Sequence, residues 1–265
     1  MPELPEVETI VRGLKEKIAG KKVINYEVHD QKVADKNIKP LVPFTITNVT
    51  RRAKYLIFHT NTSHTLLCHL KMTGHFHYPT TAKEKQASTK YRAATFTFHD
   101  HSILTHNSIR RLGFIKRVTA KDLQAHLEKL GPEPLTITKN EFTSLLKKYP
   151  KGNIKVKLMD QQIIVGIGNI YAQEALYLAK INPKTTIHKI TTAKLNNLHH
   201  HIQTILQNSI ISQGTSIKNY THLQGKGGYQ DHLQIYQKDI CPKNHQTKTI
   251  TLAGRGTTYC PTCQK

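Results

Sequence analysis

The hydrophobic period of this chain changes once, near Thr119, and that change limits the folds open to it. Before it, Lys22–Tyr26, Tyr55–His59, Thr65–Leu70, Ala94–Phe98 and Ile103–His106 alternate or run apolar between polar turns, as strands do. After it the period is 3.6. Thr138-x-x-Glu141 is a capping box ahead of Phe142, Leu145 and Leu146, and Leu195, Leu198, Ile202, Ile205 and Leu206 stripe one long helix. Gly214–Gly228 is Gly-rich and polar and reads as a mobile loop, and a short hairpin with clustered cysteines closes the chain. The pattern predicts an α+β multidomain protein: a two-sheet β domain over 1–130, a helical domain with the loop over 131–228, and a metal-binding hairpin over 229–265.

A helix should precede the first strand. Pro5 fits its first position, Glu6 and Glu8 suit its positive end, Val7, Ile10, Val11, Leu14 and Ile18 line one face, and Gly20 stops it. The same stretch, Pro2-Glu3-Leu4-Pro5-Glu6, has a second reading. With Met1 removed, Pro2 presents a secondary amine beside a carboxylate. Such an amine, with a pKa near 8, is roughly one-tenth free base at pH 7, far more than a lysine. It is a ready nucleophile for a sugar or carbonyl carbon, with Glu3 placed to move protons.

Lys and Arg outnumber Asp and Glu by 39 to 17, a net charge of +22. Folding does not require that excess, so it points to an anionic partner: nucleic acid first, a membrane surface second. No apolar run approaches the ~20 residues of a membrane span and the start lacks a signal-peptide core, so a soluble, intracellular protein is expected. The four cysteines form no disulfide framework. Cys68 lies on an apolar strand and suits the core. Cys260-Pro261-Thr262-Cys263 is a zinc-knuckle pair needing two more ligands, and Cys241 with His245, four residues on, completes a Cys3His set.

Other stretches carry two readings each. In Gly254-Arg255-Gly256 the arginine projects from a hairpin tip, where it could meet a phosphate or only solvent. Gly166-Ile167-Gly168-Asn169 opens a helix with Asn169 as its N-cap; it suits a phosphate or a tight packing turn, and Lys151, Lys155 and Lys157 lie just upstream. Arg51-Arg52-Ala53-Lys54-Tyr55 begins a strand with basic residues. Arg110-Arg111-Leu112-Gly113 sets an apolar residue beside two cations, as a wedge between base steps would, or as a solvated strand end would.

Taken in order, these segments resemble the formamidopyrimidine-DNA glycosylase family. The shared motifs are MPELPEVETI at 1–10, RRAKYL at 51–56, HLKMTG at 69–74, RRLG at 110–113, LGPEPL at 130–135, LMDQQIIVGIGNIYAQE at 158–174 and GRGTTYCPTCQ at 254–264. The resemblance implies an N-terminal β-sandwich, a helix–two-turn–helix domain and a zinc-finger hairpin. It also implies a bifunctional glycosylase and abasic-site lyase that removes oxidised purines such as 8-oxoguanine from double-stranded DNA. Pro2 would form a Schiff base at C1′ with Glu3 as acid and base, Lys54 would assist β-elimination and Arg255 δ-elimination. Lys151, Lys155 and Asn169 would hold phosphates. Met72, Arg110 and Leu112 would fill the vacated duplex, Arg111 would touch the strand, and Tyr91 stands where a DNA-contacting His is usual. Thr215–Tyr220 and Gly225–Gly228 match a loop that closes over the everted purine. One structural zinc, a monomeric state and a cytoplasmic, nucleoid-associated location of bacterial type complete the expectation.

The chain departs from that pattern in several places. Leu112 replaces the wedge Phe, Lys71 a Gly, Ser108-Ile109 an Asp-Pro pair, and His245 a zinc cysteine. Two other functions compete: an endonuclease VIII-like glycosylase preferring oxidised pyrimidines, and a non-catalytic protein that binds damaged DNA. Retention of Pro2, Glu3 and Lys54 weighs against the second.

Overall fold

The computed structural model describes residues 1–81, 84, 90–216, 225 and 227–265. Two compact units divide the chain: Met1–Glu128 with Gln213–Gly228, and Lys129–Ser212 with Tyr229–Lys265.

The first unit opens with helix α1 (Leu4–Ile18), which buries Leu4, Val7, Ile10, Val11, Leu14 and Ile18, the apolar stripe expected of it. Gly20, at φ +82°, ends it in a backbone conformation that favours glycine. Eight strands follow: β1 (Lys22–Val28), β2 (Phe44–Arg52), β3 (Tyr55–Thr60), β4 (His64–His69), β5 (Gly74–His77), β6 (Arg92–Phe98), β7 (Ile103–Ser108) and β8 (Phe114–Thr119). They form one antiparallel ladder in the order β5-β7-β6-β1-β2-β3-β4-β8. Strand β2 is the fold line: Phe44 and Thr45 pair with β1, and Ile46 to Arg52 pair with β3 across a register shift between Ile46 and Asn48. The two halves enclose one core with α1, and Phe58 of β3 lies 5.5 Å from Phe76 of β5, ring to ring. The two-sheet sandwich is thus one folded sheet. Cys68 is fully buried in it. Thr119 caps helix α2 (Ala120–Leu127) by accepting from the Asp122 N–H at 3.1 Å, which marks the predicted change of period.

In the second unit, Thr138 and Glu141 make the predicted capping box at the start of α3 (Lys139–Lys147). Asn153 caps the short α4 (Ile154–Met159), a turn and a bend span residues 161–166, and α5 (Asn169–Leu178) begins. Helix α5 is buried on nearly every side, with Tyr171 through Tyr177 all inaccessible. Helix α6 (Thr192–Ile211) lies against it with Leu195, Leu198, Ile202, Ile205 and Leu206 inward. Strands β9 (Lys248–Leu252) and β10 (Arg255–Tyr259) form the terminal hairpin.

Candidate catalytic and nucleic-acid-binding groups

Pro2 and Glu3 are both buried at the N-terminal end of α1. Glu3 is held through its backbone: its N–H donates to the Glu6 carboxylate at 2.8 Å. The same carboxylate accepts from the Thr215 N–H at 2.8 Å, so Glu6 ties the helix start to the base of the 214–228 segment. Of the expected closing loop, residues 217–220 and 226 lie outside the described residues. The two ends of the segment meet, with the Gly227 N–H on Ser216 Oγ at 2.7 Å.

Lys54 lies in the tight turn between β2 and β3, and only 4% of it is exposed. A buried lysine must be held by its surroundings, because desolvation disfavours its charge. Its turn contains Ala53 in the left-handed region, at φ +55°. Arg51 braces that turn: Nη1 donates to the Ala53 carbonyl and Nε to Glu8 on α1, each at 2.9 Å. Arg51-Arg52 is therefore the end of β2 rather than the beginning of a strand, and Arg51 serves as a tie from α1 to Lys54. Burial, followed by the nearby cations of Lys71, Lys54 and His126, lowers His69 to a pKa of about 3, so it stays neutral.

The β7–β8 loop carries Arg110 and Leu112, and Arg110 reaches Met72. Arg110 donates to Met72 Sδ at 3.4 Å, and its backbone N–H to Thr73 Oγ1 at 2.8 Å. Met72 and Leu112 are 47% and 55% exposed. Tyr91 is also exposed, and its carbonyl accepts from the Ser108 N–H at 2.9 Å, beside the root of the loop. Arg111 turns to Asp30 in a two-pronged pair, Nη2 donating to Oδ1 at 2.8 Å. The Arg111 guanidinium holds the Asp30 carboxyl below its ordinary range.

In the second unit the N-cap of α5 is Gly168, and Asn169 is the first helical residue, a correction to the sequence reading. Gly168 is extended and needs no side chain there, which frees the Asn169 amide for other partners. It donates to the Gly256 carbonyl at 3.1 Å and accepts from Lys155 Nζ at 2.7 Å. Lys155 is 1% exposed and donates also to Thr257 Oγ1 at 2.7 Å. Lys151, by contrast, is exposed on the turn before α4. Arg255 is exposed at the start of β10, where Ala253 and Gly254, both at positive φ, make the hairpin turn.

Cys241, His245, Cys260 and Cys263 offer ligand atoms that all lie within 4.8 Å of one another. His245 Nδ1 stands 3.7 Å from Cys241 Sγ and 3.3 Å from Cys263 Sγ. Zinc bonds of about 2.3 Å to sulfur and about 2.0 Å to nitrogen, set tetrahedrally, place neighbouring ligand atoms at about that spacing. Burial works against ionising Cys241, but the His245 and Lys243 N–H groups outweigh it and bring the thiol down to about 6. The set fits a metal ion.

The family model for the N-terminal domain of formamidopyrimidine-DNA glycosylase matches residues 1–115, and that for its H2TH domain matches 130–221. Formamidopyrimidine-DNA glycosylase of Ligilactobacillus salivarius is 36% identical over all of this chain and 99% of its own length. The Legionella pneumophila (strain Lens) protein of that name is 36% identical over 100% and 98%. A mutant of Lactococcus lactis Fpg in complex with a Fapy-dG containing DNA superposes with a TM-score of 0.92 at 33% identity, covering 100% of both chains. This chain belongs to the formamidopyrimidine-DNA glycosylase family.

The family's enzymes are base-excision repair glycosylases with abasic-site lyase activity, and the α+β fold expected from the sequence is theirs. The supporting roles of four residues escaped the sequence reading, which placed Glu6 and Glu8 only as charges at the start of the first helix. Glu6, Glu8 and Gln173 act on partners far along the chain. Glu174 is 3% exposed and accepts the N–H groups of Gln234, Ile235 and Tyr236 at 2.8, 3.0 and 2.7 Å. A carboxylate on a helix as apolar as α5 was the available signal, since a buried charge must be satisfied. No described helix is long and apolar enough to cross a membrane.

Proposed function

We propose that this glycosylase removes oxidised purines from duplex DNA and then cuts the strand through a Schiff base on Pro2. The observation that carries the reading is the Pro2–Glu3 pair buried at the start of α1, with Lys54 in a turn braced to the same helix through Arg51 and Glu8. A base inside an intact stack cannot be attacked at its sugar, so the nucleotide must first be everted. The Pro2 nitrogen then bonds to C1′ as the C1′–N bond to the base breaks, and Glu3 manages the protons. The adduct's N–H proton is lost, the C1′–O4′ bond breaks with O4′ taking a proton from Glu3, and the nitrogen lone pair closes the C1′=N bond, giving the ring-opened iminium ion. That ion acidifies C2′; with Lys54 assisting, the C2′ proton leaves and the C3′–O bond breaks, releasing the 3′-phosphate with the electron pair. Loss of the C4′ proton, assisted by Arg255, then breaks the C5′–O bond, and water hydrolyses the iminium to free Pro2 and the unsaturated sugar remnant.

Met72, Arg110 and Leu112 fill the gap in the duplex, with Tyr91 and Arg111 beside them. Asn169, Lys151 and Lys155 serve the phosphates, Lys155 acting from the interior through Asn169. The net charge of +22 supports binding that weakens steeply with salt. Cys241, His245, Cys260 and Cys263 would hold one zinc ion, which supplies structure to the hairpin rather than chemistry. The protein acts as a monomer on the bacterial nucleoid, in the cytoplasm.

The test is nicking of duplexes carrying 8-oxoguanine, a formamidopyrimidine or an oxidised pyrimidine. Efficient cutting at both purine lesions, leaving a one-nucleotide gap with phosphates at both ends, is expected. A Lactococcus lactis relative at 33% identity is known in complex with an oxidized pyrimidine containing DNA, so the pyrimidine arm has a purpose. Preference for that lesion would establish the endonuclease VIII-like activity instead, and binding without cutting would establish a damage-binding protein.

A further inference from the structure

We infer that Gln173 is a positioning residue for Arg255, acting as a one-peptide third strand on the open edge of the terminal hairpin. The inference rests on the reading of Arg255 given above. Among the described residues, strand β10 pairs with a strand, β9, on one side only. A strand edge exposes N–H and C=O groups that need partners when buried. Gly256 and Thr258, two residues apart, point their backbone groups to the same edge. The Gln173 carboxamide meets both: its Oε1 accepts from the Thr258 N–H at 2.6 Å and its Nε2 reaches the Gly256 carbonyl at 3.4 Å. A residue of a parallel neighbouring strand makes the same two bonds.

Three more contacts complete the clamp. Gln173 Nε2 donates to the Asn169 carbonyl at 2.7 Å, the Asn169 side chain donates to the Gly256 carbonyl at 3.1 Å, and Lys155 holds Thr257 Oγ1 at 2.7 Å. Thr257 Oγ1 in turn donates to the Arg255 carbonyl at 3.1 Å. Residues 255 to 258 are thus fixed one after another onto α5 and α4, while the Arg255 side chain remains exposed. Gln173 is 2% exposed, so water cannot readily replace it. Only a carboxamide supplies the donor and the acceptor together; a carboxylate of the same shape would face two carbonyls. An error of 1 Å in a group that assists the chemistry can cost about 100-fold.

The experiment measures how the product divides between β- and β,δ-elimination on an abasic duplex. Both products come from the same Schiff base, so their ratio does not depend on how much enzyme is folded. Gln173→Ala should lower the δ rate at least tenfold while base excision stays within about threefold and metal content equals that of the wild type. Gln173→Glu should behave like Ala at pH 8 and recover toward the wild-type ratio as the pH falls and the carboxyl regains a donor proton. Arg255→Ala is the control. If it shifts the ratio and Gln173→Ala does not, the inference is overturned and the reading of Arg255 stands. If Gln173→Ala slows both eliminations equally, or loses the metal, Gln173 supports the fold alone and the inference is overturned. If Arg255→Ala leaves the ratio unchanged, the reading of Arg255 fails and takes the inference with it.

Discussion

Glu174→Ala is the substitution whose cost can be worked most directly from the structure. The carboxylate receives three backbone N–H groups from residues 234–236, the stretch that leads into the metal-binding module. Ile235 is fully buried, so its N–H has no water to turn to, whereas Gln234 and Tyr236 are half-buried and regain some solvation. An orphaned buried donor costs about 1–3 kcal/mol, so the alanine variant should lose about 3–6 kcal/mol. Domains of this kind hold only about 5–15 kcal/mol in all, which leaves the module partly unfolded. Glu174→Gln keeps an oxygen for two of the donors but turns an amide toward the third, and should cost about 1–3 kcal/mol. Urea unfolding, followed together with metal release to a coloured chelator, reads both numbers. A loss below about 1 kcal/mol for the alanine variant would refute the reasoning, because the three N–H groups would then have other partners.

Four further outcomes follow from three other residues. His245→Ala should release the metal under mild chelation that leaves the wild type loaded, with metal content measured directly; full retention would remove His245 from the ligand set. Leu112→Ala should slow excision from duplex DNA by about tenfold or more while sparing cleavage of a single-stranded abasic site, since only the duplex needs a wedge. Leu112→Phe should sharpen discrimination among the four opposing bases in single-turnover assays. His106 is wholly buried, and burial, with repulsion from His75 second, lowers its pKa from an ordinary 6.5 to about 3. The unfolded chain therefore binds the extra proton, so this stability is present above pH 6.5 and is lost as the pH falls toward about 3. Replacing it by Leu should reduce the loss between pH 7.5 and pH 4.5 by roughly 2–3 kcal/mol in urea melts.

Local signals made much of this legible. The α1 stripe, the Thr138–Glu141 box, the α6 stripe and the CPTC knuckle are each short-range patterns, and each forms as the sequence implied. Strands β2, β5 and β8 were not legible. Strand β5 is four residues long with Phe76 its single deeply buried apolar side chain, and β2 is interrupted by the register shift at Ile46–Asn48. Neither sustains an alternation that a window can read. Asn169 looked like a cap because asparagine favours that place, but a partner 87 residues away claims its side chain. The supports of the site share that cause. Arg51 finds Glu8 across 43 residues and Glu6 finds Thr215 across 209, separations at which a carboxylate in the sequence looks the same whether it braces a turn or faces water.

The central claim is that the strand-cutting chemistry runs through the Pro2 amine, and borohydride trapping tests it most directly. Reduction freezes the iminium ion as a covalent enzyme–DNA adduct whose site can be mapped by mass spectrometry. Mature protein should give the adduct on an 8-oxoguanine duplex with the DNA on Pro2. Protein that retains Met1, or carries Pro2→Gly, should give it far more slowly or not at all, whereas Lys54→Ala should still be trapped. An adduct formed at the normal rate by the Met1-blocked protein, mapping to a lysine, would contradict the account.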